Sequence, residues 1–228
     1  MSTAGVSVRG EPAVRFYEAA IGKKIVMAVT GFILFGYVLV HLLGNLQIYL
    51  GPEQINAYAR FLHSTPLLLW GARVVLLAAV ILHITASVQL WLLNRRARPV
   101  SYVMEKDPPA GYASRTMLWS GPIIGAFVVF HILHLTTGSV GLPYRELDPY
   151  HNMVYGFRIW PVSLSYILAM VLLAMHLYHG LWSMFQTVGV HHPRYTPWLK
   201  RLAAAFAIFI GAGNISIPVA VLAGWVRE

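Results

Sequence analysis

The chain has 228 residues, of which 57% are hydrophobic and 11% charged, and its mean hydropathy is +0.62. So few polar side chains cannot cover a soluble globule of this size, which excludes a water-soluble fold and predicts a protein of the lipid bilayer. The formal charge of +9 does not indicate nucleic acid as a partner, because the cations fall between apolar runs and do not form one soluble basic face.

Five long apolar segments follow one another along the chain, at about residues 24–50, 66–93, 117–138, 162–188 and 198–225. Each has the about 20 residues that a helix needs to cross the hydrocarbon core of a membrane. We therefore predict an all-α bundle of five transmembrane helices in a single membrane domain, residues 1–228, with residues 1–23 as a tail on the cytoplasmic surface.

The orientation of the bundle is predicted from its cations. Twelve of the 17 Lys and Arg residues lie in the tail and in the second and fourth connections. Because Lys and Arg accumulate in cytoplasmic loops, this asymmetry predicts a cytoplasmic N-terminus and an external C-terminus.

Histidines are the main candidate ligands, because the chain has ten of them and no cysteine. Counted from the outer helix ends, His41 and His131 lie about 10 to 15 Å deep, and His83 and His176 about 21 to 25 Å deep. The four residues come from four different segments, so they form an outer pair, His41 with His131, and an inner pair, His83 with His176. Two imidazoles that face each other in an apolar bundle are typical axial ligands of a haem iron.

Depth alone leaves an alternative open at two positions. His134 and His179 each lie three residues beyond a candidate ligand, about 60° around the helix, so either could replace its neighbour. Small residues near the candidate ligands would let a flat macrocycle approach the helix backbones; they are Gly31, Gly36, Gly44, Ala86, Ser87, Gly125, Ala126, Ala174 and Gly180.

Four sequence stretches carry a resemblance to a known family: VLVHLLGNLQIYL, ILHITASVQLW, FVVFHILHL and HLYHGLWSMFQTVG. They resemble the cytochrome b subunit of bacterial succinate:quinone oxidoreductases, in the single-subunit, five-helix, di-haem class, and the likeness covers about residues 16–224. The family pattern places a ligand four positions before a glycine in the fourth helix, which here is His176 before Gly180. It also matches His41, His83 and His131, and it implies that His134 and His179 contact a haem propionate or the quinone.

The resemblance implies a role as the membrane anchor of respiratory complex II or of a quinol:fumarate reductase, in the bacterial cytoplasmic membrane. Its cofactors would be two haem b groups and a quinone, with menaquinone favoured over ubiquinone. A flavoprotein subunit with FAD would hold the dicarboxylate site, and an iron–sulfur subunit would dock on the cytoplasmic face. Membrane lipid and a higher oligomer of the complex complete the implied partners. Basic residues near that face form the expected docking surface: Lys23, Lys24, Arg95, Arg96 and Arg98.

A quinone needs polar donors and a source of protons beside its ring. The loop QINAYARFLHSTP offers Asn56, Tyr58, Arg60 and His63. In some members of the family a glutamate beside the quinone stands where this chain has His63.

Carboxylates are absent from the five predicted spans, since all eight acidic residues lie in the tails or loops. In some quinol:fumarate reductases of the family, a glutamate linked to proton transfer stands at the position of Ala174. We therefore expect no carboxylate route for protons across this bundle.

Three other functions stay open at the level of the sequence. One is a different di-haem transmembrane cytochrome b. Another is a transporter whose histidines relay protons, and the third is an anchor without haem that only supports the quinone site.

Overall fold

The computed structural model describes residues 16–97 and 112–228. The tail at residues 1–15, with Arg9 and Arg15, and the connection that contains Arg98 and Lys106 lie outside the described residues. Within the described ranges the chain forms helices and no strands. The helices are α1 (Ala20–Asn45), α2 (Pro52–Ser64), α3 (Pro66–Ala97), α4 (Tyr112–Leu135), α5 (Pro149–Arg158), α6 (Trp160–Thr187) and α7 (Thr196–Leu222).

Five of these helices are long and apolar enough to cross a membrane, namely α1, α3, α4, α6 and α7. This confirms the predicted all-α class and the number of spans, and it indicates a multi-pass membrane protein. The predicted bounds are close to the observed ones. In the first span, α1 ends at Asn45 and the chain continues as a 3₁₀ helix, Leu46–Leu50.

Two short helices that the hydropathy pattern did not predict, α2 and α5, fill connections between spans. Helix α2 begins with Pro52 and carries Glu53 in its first turn, which suits the positive end of a helix. Helix α5 begins with Pro149 after Asp148, whose carboxylate accepts the His151 backbone N–H at 3.1 Å. Asn56 joins the two helices, because its Nδ2 donates to Asp148 Oδ1 at 2.8 Å.

The spans pack on one another unevenly. Helix α1 packs on α3, α6 packs on both α4 and α7, and α1 also contacts α6 and α7. Within the described residues, extensive backbone contact is missing between α3 and α4, between α3 and α6, and between α1 and α4. The α1/α3 pair and the α4/α6 pair therefore meet mainly where α1 contacts α6. We call the seam between these two pairs the central cleft, and each of the four helices carries one candidate ligand.

Close packing on the other side of α1 holds the bundle together. Leu42 is fully buried with Leu177 and Ile210, in a cluster that joins α1, α6 and α7. A Cβ atom at Gly213 would lie 2.9 Å from Leu42, so glycine there allows α7 to approach α1 closely. Because Leu42 fills this junction, its neighbour His41 is turned toward the cleft.

We expect Leu42→Ala to destabilise the bundle by about 2 to 5 kcal/mol, because it leaves a cavity where three spans meet. Leu43→Ala is the matched control, since Leu43 is 51% exposed on the same helix. Thermal unfolding of the detergent-solubilised protein compares the two variants. Equal losses of stability would contradict the packing described here.

Candidate functional site

The cleft brings the four candidate histidines together as two pairs of rings. The ring centroids of His41 and His131 are 5.6 Å apart, and those of His83 and His176 are 6.4 Å apart. Each pair spans the cleft, with one member on the α1/α3 side and the other on the α4/α6 side. These are the same two pairs that depth along the helices predicts.

The two pairs lie at different levels of the bundle, and three helices give nearly the same separation. On α1, His83 contacts Thr30, which is eleven residues before His41. On α4, His176 contacts Ser120, eleven residues before His131, and on α6 the His131 ring contacts Tyr166, ten residues before His176. At 1.5 Å per residue the two levels are about 15 to 17 Å apart.

Thr30 lies within hydrogen-bond distance of His83. The Thr30 hydroxyl is 2.7 Å from Val26 O, 3.2 Å from Met27 O and 3.1 Å from His83 Nδ1. When the hydroxyl donates to a backbone carbonyl of its own helix, its oxygen accepts from His83 Nδ1, and Nε2 keeps its lone pair. This arrangement is typical of a metal-ligating histidine, whose second nitrogen donates to a fixed acceptor.

The other three rings have weaker partners at Nδ1. His176 Nδ1 lies 3.5 Å from Ser120 Oγ, and His41 Nδ1 lies 3.5 Å from the Tyr37 hydroxyl, both at the outer limit of a hydrogen bond. His131 Nδ1 is buried and has no hydrogen-bond partner among the described residues. In the same part of the chain, Nε2 of His41, His131 and His176 makes no hydrogen bond, so these nitrogens remain available as ligands.

The spacing of each pair fits a metal ion shared by two Nε2 atoms. With about 2 Å from metal to nitrogen and about 1 Å from nitrogen to ring centre, two such rings are about 6 Å apart. Among the described residues no three histidine or carboxylate side chains converge on one point. A metal ion held at either pair would have only two protein ligands, which suits an iron that brings four porphyrin nitrogens with it.

Small residues leave room beside the pairs. A Cβ atom at Gly36 or Gly180 would meet nothing within 4 Å, whereas one at Gly31 would lie 3.4 Å from the His83 ring. Two of the predicted approach positions have another use. A Cβ atom at Gly44 would lie 2.9 Å from the Tyr58 ring, and Ala174 packs against Gly211, so both serve the contacts between helices.

His134 lies outside the two pairs. Its side chain is 3% exposed, and Nδ1 is hydrogen-bonded to the Tyr166 hydroxyl at 2.9 Å. The ring also packs on Phe130 and Phe157, and a Cβ atom at Gly156 would collide with it. The structure thus directs His134 toward α5 and α6, where it holds α5 in place.

His179 is half-buried and makes no hydrogen bond or ring contact within the described residues, whereas His176 lies ring to ring with His83. Of each neighbouring pair of candidates, the structure thus places His131 and His176, and not His134 and His179, ring to ring with a histidine of another span.

The loop residues suggested for a quinone do not form one cluster. The Tyr58 ring packs on Gly44, while His63 is exposed and bonds Ala59 O of its own helix at 2.9 Å. Arg60 is exposed, and no hydrogen bond joins these three side chains to one another. Asn56, which the sequence also offered, is used to hold α2 against α5.

The basic end of the bundle differs from the expected docking surface at one position. Lys23 is buried, and its ammonium donates to the carbonyl oxygens of Tyr17 at 2.6 Å and Glu18 at 3.0 Å. Its charge is thus used within the chain. Lys24, Arg95 and Arg96 are exposed and remain available to a partner.

Sequence reasoning missed the hydroxyl groups that lie beside two of the candidate ligand rings. Thr30 is 53 residues from His83, and Ser120 is 56 residues from His176, so no local spacing connects either pair. The only signal that could have indicated them is a polar residue eleven positions before a candidate histidine on the same helix. Thr30 stands in this way before His41, and Ser120 before His131. No protein-family model, no curated protein and no solved structure matches this chain.

Proposed function

We propose that this chain is the di-haem cytochrome b subunit that anchors a succinate:quinone oxidoreductase in the bacterial cytoplasmic membrane. The observation that carries the proposal is the presence of two facing histidine pairs, from four different spans, at two levels of one cleft. The resemblance of the four sequence stretches supplies the family. The chain serves the enzyme as a subunit that does not bind the dicarboxylate.

In this proposal Nε2 of His83 and His176 holds one haem b, and Nε2 of His41 and His131 holds the other. A bound haem b supplies one-electron chemistry between the iron–sulfur subunit and the quinone. The protein positions His83 through Thr30, and Ser120 lies beside His176. The apolar spans keep the imidazoles neutral and exclude water.

Each proposed partner is assigned to one end of the bundle. The flavoprotein with FAD joins through an iron–sulfur subunit, which docks at the end of the bundle that carries Lys24, Arg95 and Arg96. The quinone, with menaquinone favoured by the resemblance, binds near the opposite end. Lipid surrounds the exposed apolar faces of the spans, and the complex can form a higher oligomer.

A proton-relay transporter is less well supported by the same geometry. A relay needs each imidazole to exchange protons at both nitrogens, yet His131 Nδ1 has no partner among the described residues. The five spans also contain no carboxylate. Another di-haem cytochrome b shares the histidine pairs, so the partner subunits distinguish it from the proposed enzyme.

A reduced-minus-oxidised spectrum of the purified chain, combined with a haem-to-chain ratio, tests the proposal. We expect a b-type spectrum and two haem groups per chain. Co-purification of a flavoprotein and an iron–sulfur protein then separates succinate:quinone oxidoreductase from the other di-haem cytochromes. A colourless, well-folded preparation would refute the assignment.

Thr30→Val tests the hydrogen bond that positions His83. The change keeps the branched shape of the side chain and removes the oxygen that accepts the Nδ1 proton. We expect one haem to be held about 10- to 100-fold less tightly, because loss of such a partner typically costs that much metal affinity. The rate of transfer to a haem scavenger measures the effect. Thr85→Val, at an exposed position on α3, should leave both rates unchanged.

A further inference from the structure

Arg73 is a cation inside a membrane span, and among the described residues no acidic side chain compensates it. It lies seven residues from the start of α3, about 10 Å along the helix axis. Within the described residues it has no salt bridge, and its guanidinium lies 4.8 Å from the centroid of the Trp70 ring. An ionised group in a span is costly unless it reaches the interface or a polar or oppositely charged partner, and such residues are often functional.

The position of Arg73 relates it to the His41/His131 pair. Arg73 is ten residues before His83 on α3, which places it about 15 Å along the axis and about 80° around the helix from that ring. This is the separation between the two levels, so Arg73 lies at the level of the outer pair. It also interacts electrostatically with Tyr37, whose ring stacks on the His41 ring at a centroid distance of 5.3 Å.

Among the described residues no acidic side chain pairs with Arg73, and no span contains one, so the candidate counter-ions are bound groups. A neutral quinone carries no charge. A lipid phosphate is the alternative counter-ion, since a long side chain near a helix end can extend toward the headgroups. A haem carries two propionate groups, and the pair at this level is the one that would bring them there. Arg73 bonds carboxylates readily, since its guanidinium presents parallel N–H donors.

We propose that Arg73 is the counter-ion of the propionate groups of the haem held by His41 and His131, an inference that rests on the proposed function. Its positive charge favours the reduced, more negative state of that haem. Removing the charge therefore lowers the midpoint potential of this haem and leaves that of the other haem unchanged.

The test is a potentiometric titration of Arg73→Gln and Arg73→Lys in the full chain, with both haems resolved. We expect Arg73→Gln to lower one midpoint and Arg73→Lys to stay close to the parent protein. In an Arg73→Gln/His83→Ala double variant, which keeps only the His41/His131 haem, the shift should persist. In an Arg73→Gln/His41→Ala double variant it should disappear.

Arg201→Gln is the matched control. Arg201 also stands three residues after a tryptophan near the start of a span, with its guanidinium 4.9 Å from the centroid of the Trp198 ring, and it has no acidic partner among the described residues. We expect this variant to change neither midpoint.

Unchanged midpoints of both haems in Arg73→Gln would overturn the inference. If that variant also lost a bound anionic lipid in native mass spectrometry, Arg73 would be assigned to a lipid phosphate. A parent protein without haem would instead remove the proposed function itself, so the two failures are distinguishable.

Discussion

His176→Ala is expected to reduce the haem content from two groups per chain to one. The variant removes one of the two imidazoles at the inner level, where His83 is 6.4 Å from His176 between ring centroids. A single imidazole cannot bind an iron from both sides, and the affinity lost with a direct ligand exceeds the about 10- to 100-fold lost with its hydrogen-bond partner. A pyridine haemochrome assay against chain concentration measures the ratio.

His179→Ala provides the matched control on the same helix. His179 lies one turn away from His176 and has no ring contact with His83 in the described structure. We expect this variant to retain two haem groups, and we expect added imidazole to restore the second haem to His176→Ala. If His179→Ala retained one haem group per chain and His176→Ala retained two, the ligand at the inner level would be His179 and not His176.

The five spans could be predicted from the sequence because hydropathy over about 20 residues records how the chain meets lipid. Helices α2 and α5 could not be predicted in this way, since each is too short to give a hydropathy signal of its own. Their positions depend on tertiary contacts such as the Asn56–Asp148 hydrogen bond, which joins residues 92 positions apart.

Pairing by depth was accessible from the sequence, because a helix rises by a fixed distance per residue. The rotation of each helix was not accessible, since packing against its neighbours sets it. His134 illustrates this point. It is three residues from His131, yet Tyr166 and Gly156 hold its ring on the α5 side. To decide which of two neighbouring histidines faces the other candidates, one must know which face of the helix is covered by other helices. The sequence does not give this information.

The different roles of the basic residues could not be separated from the sequence alone. Positive residues were assigned to topology and docking as a group, yet the structure separates their uses. Lys23 donates to two carbonyl oxygens of its own chain, whereas Arg73 has no acidic partner in the described part of the chain and lies at the level of the outer histidine pair. The distinction depends on which groups lie within reach of each cation, and side-chain contacts of this kind leave no pattern in the sequence.

His131→Ala is expected to remove the haem at the outer level and to abolish electron delivery to quinone by the assembled enzyme. The His131 ring lies 5.6 Å from the His41 ring between centroids, and the buried Nδ1 of His131 has no hydrogen-bond partner within the residues that the structure describes. Oxidation of succinate with a soluble artificial acceptor should continue, because the proposed function assigns the dicarboxylate site to another subunit. Quinone turnover should fall by more than about 100-fold, which exceeds the usual effect of losing a hydrogen-bond partner of a ligand.

His134→Ala separates this effect from damage to the fold. The variant leaves the buried Tyr166 hydroxyl without its partner, which costs about 1 to 3 kcal/mol of stability, but it removes no ligand. We therefore expect a less stable protein with two haem groups and with quinone turnover intact at low temperature. If His134→Ala instead lost a haem and His131→Ala kept two, the outer pair would be His41 with His134. The rotation of α4 that turns His131 toward His41 would then be wrong.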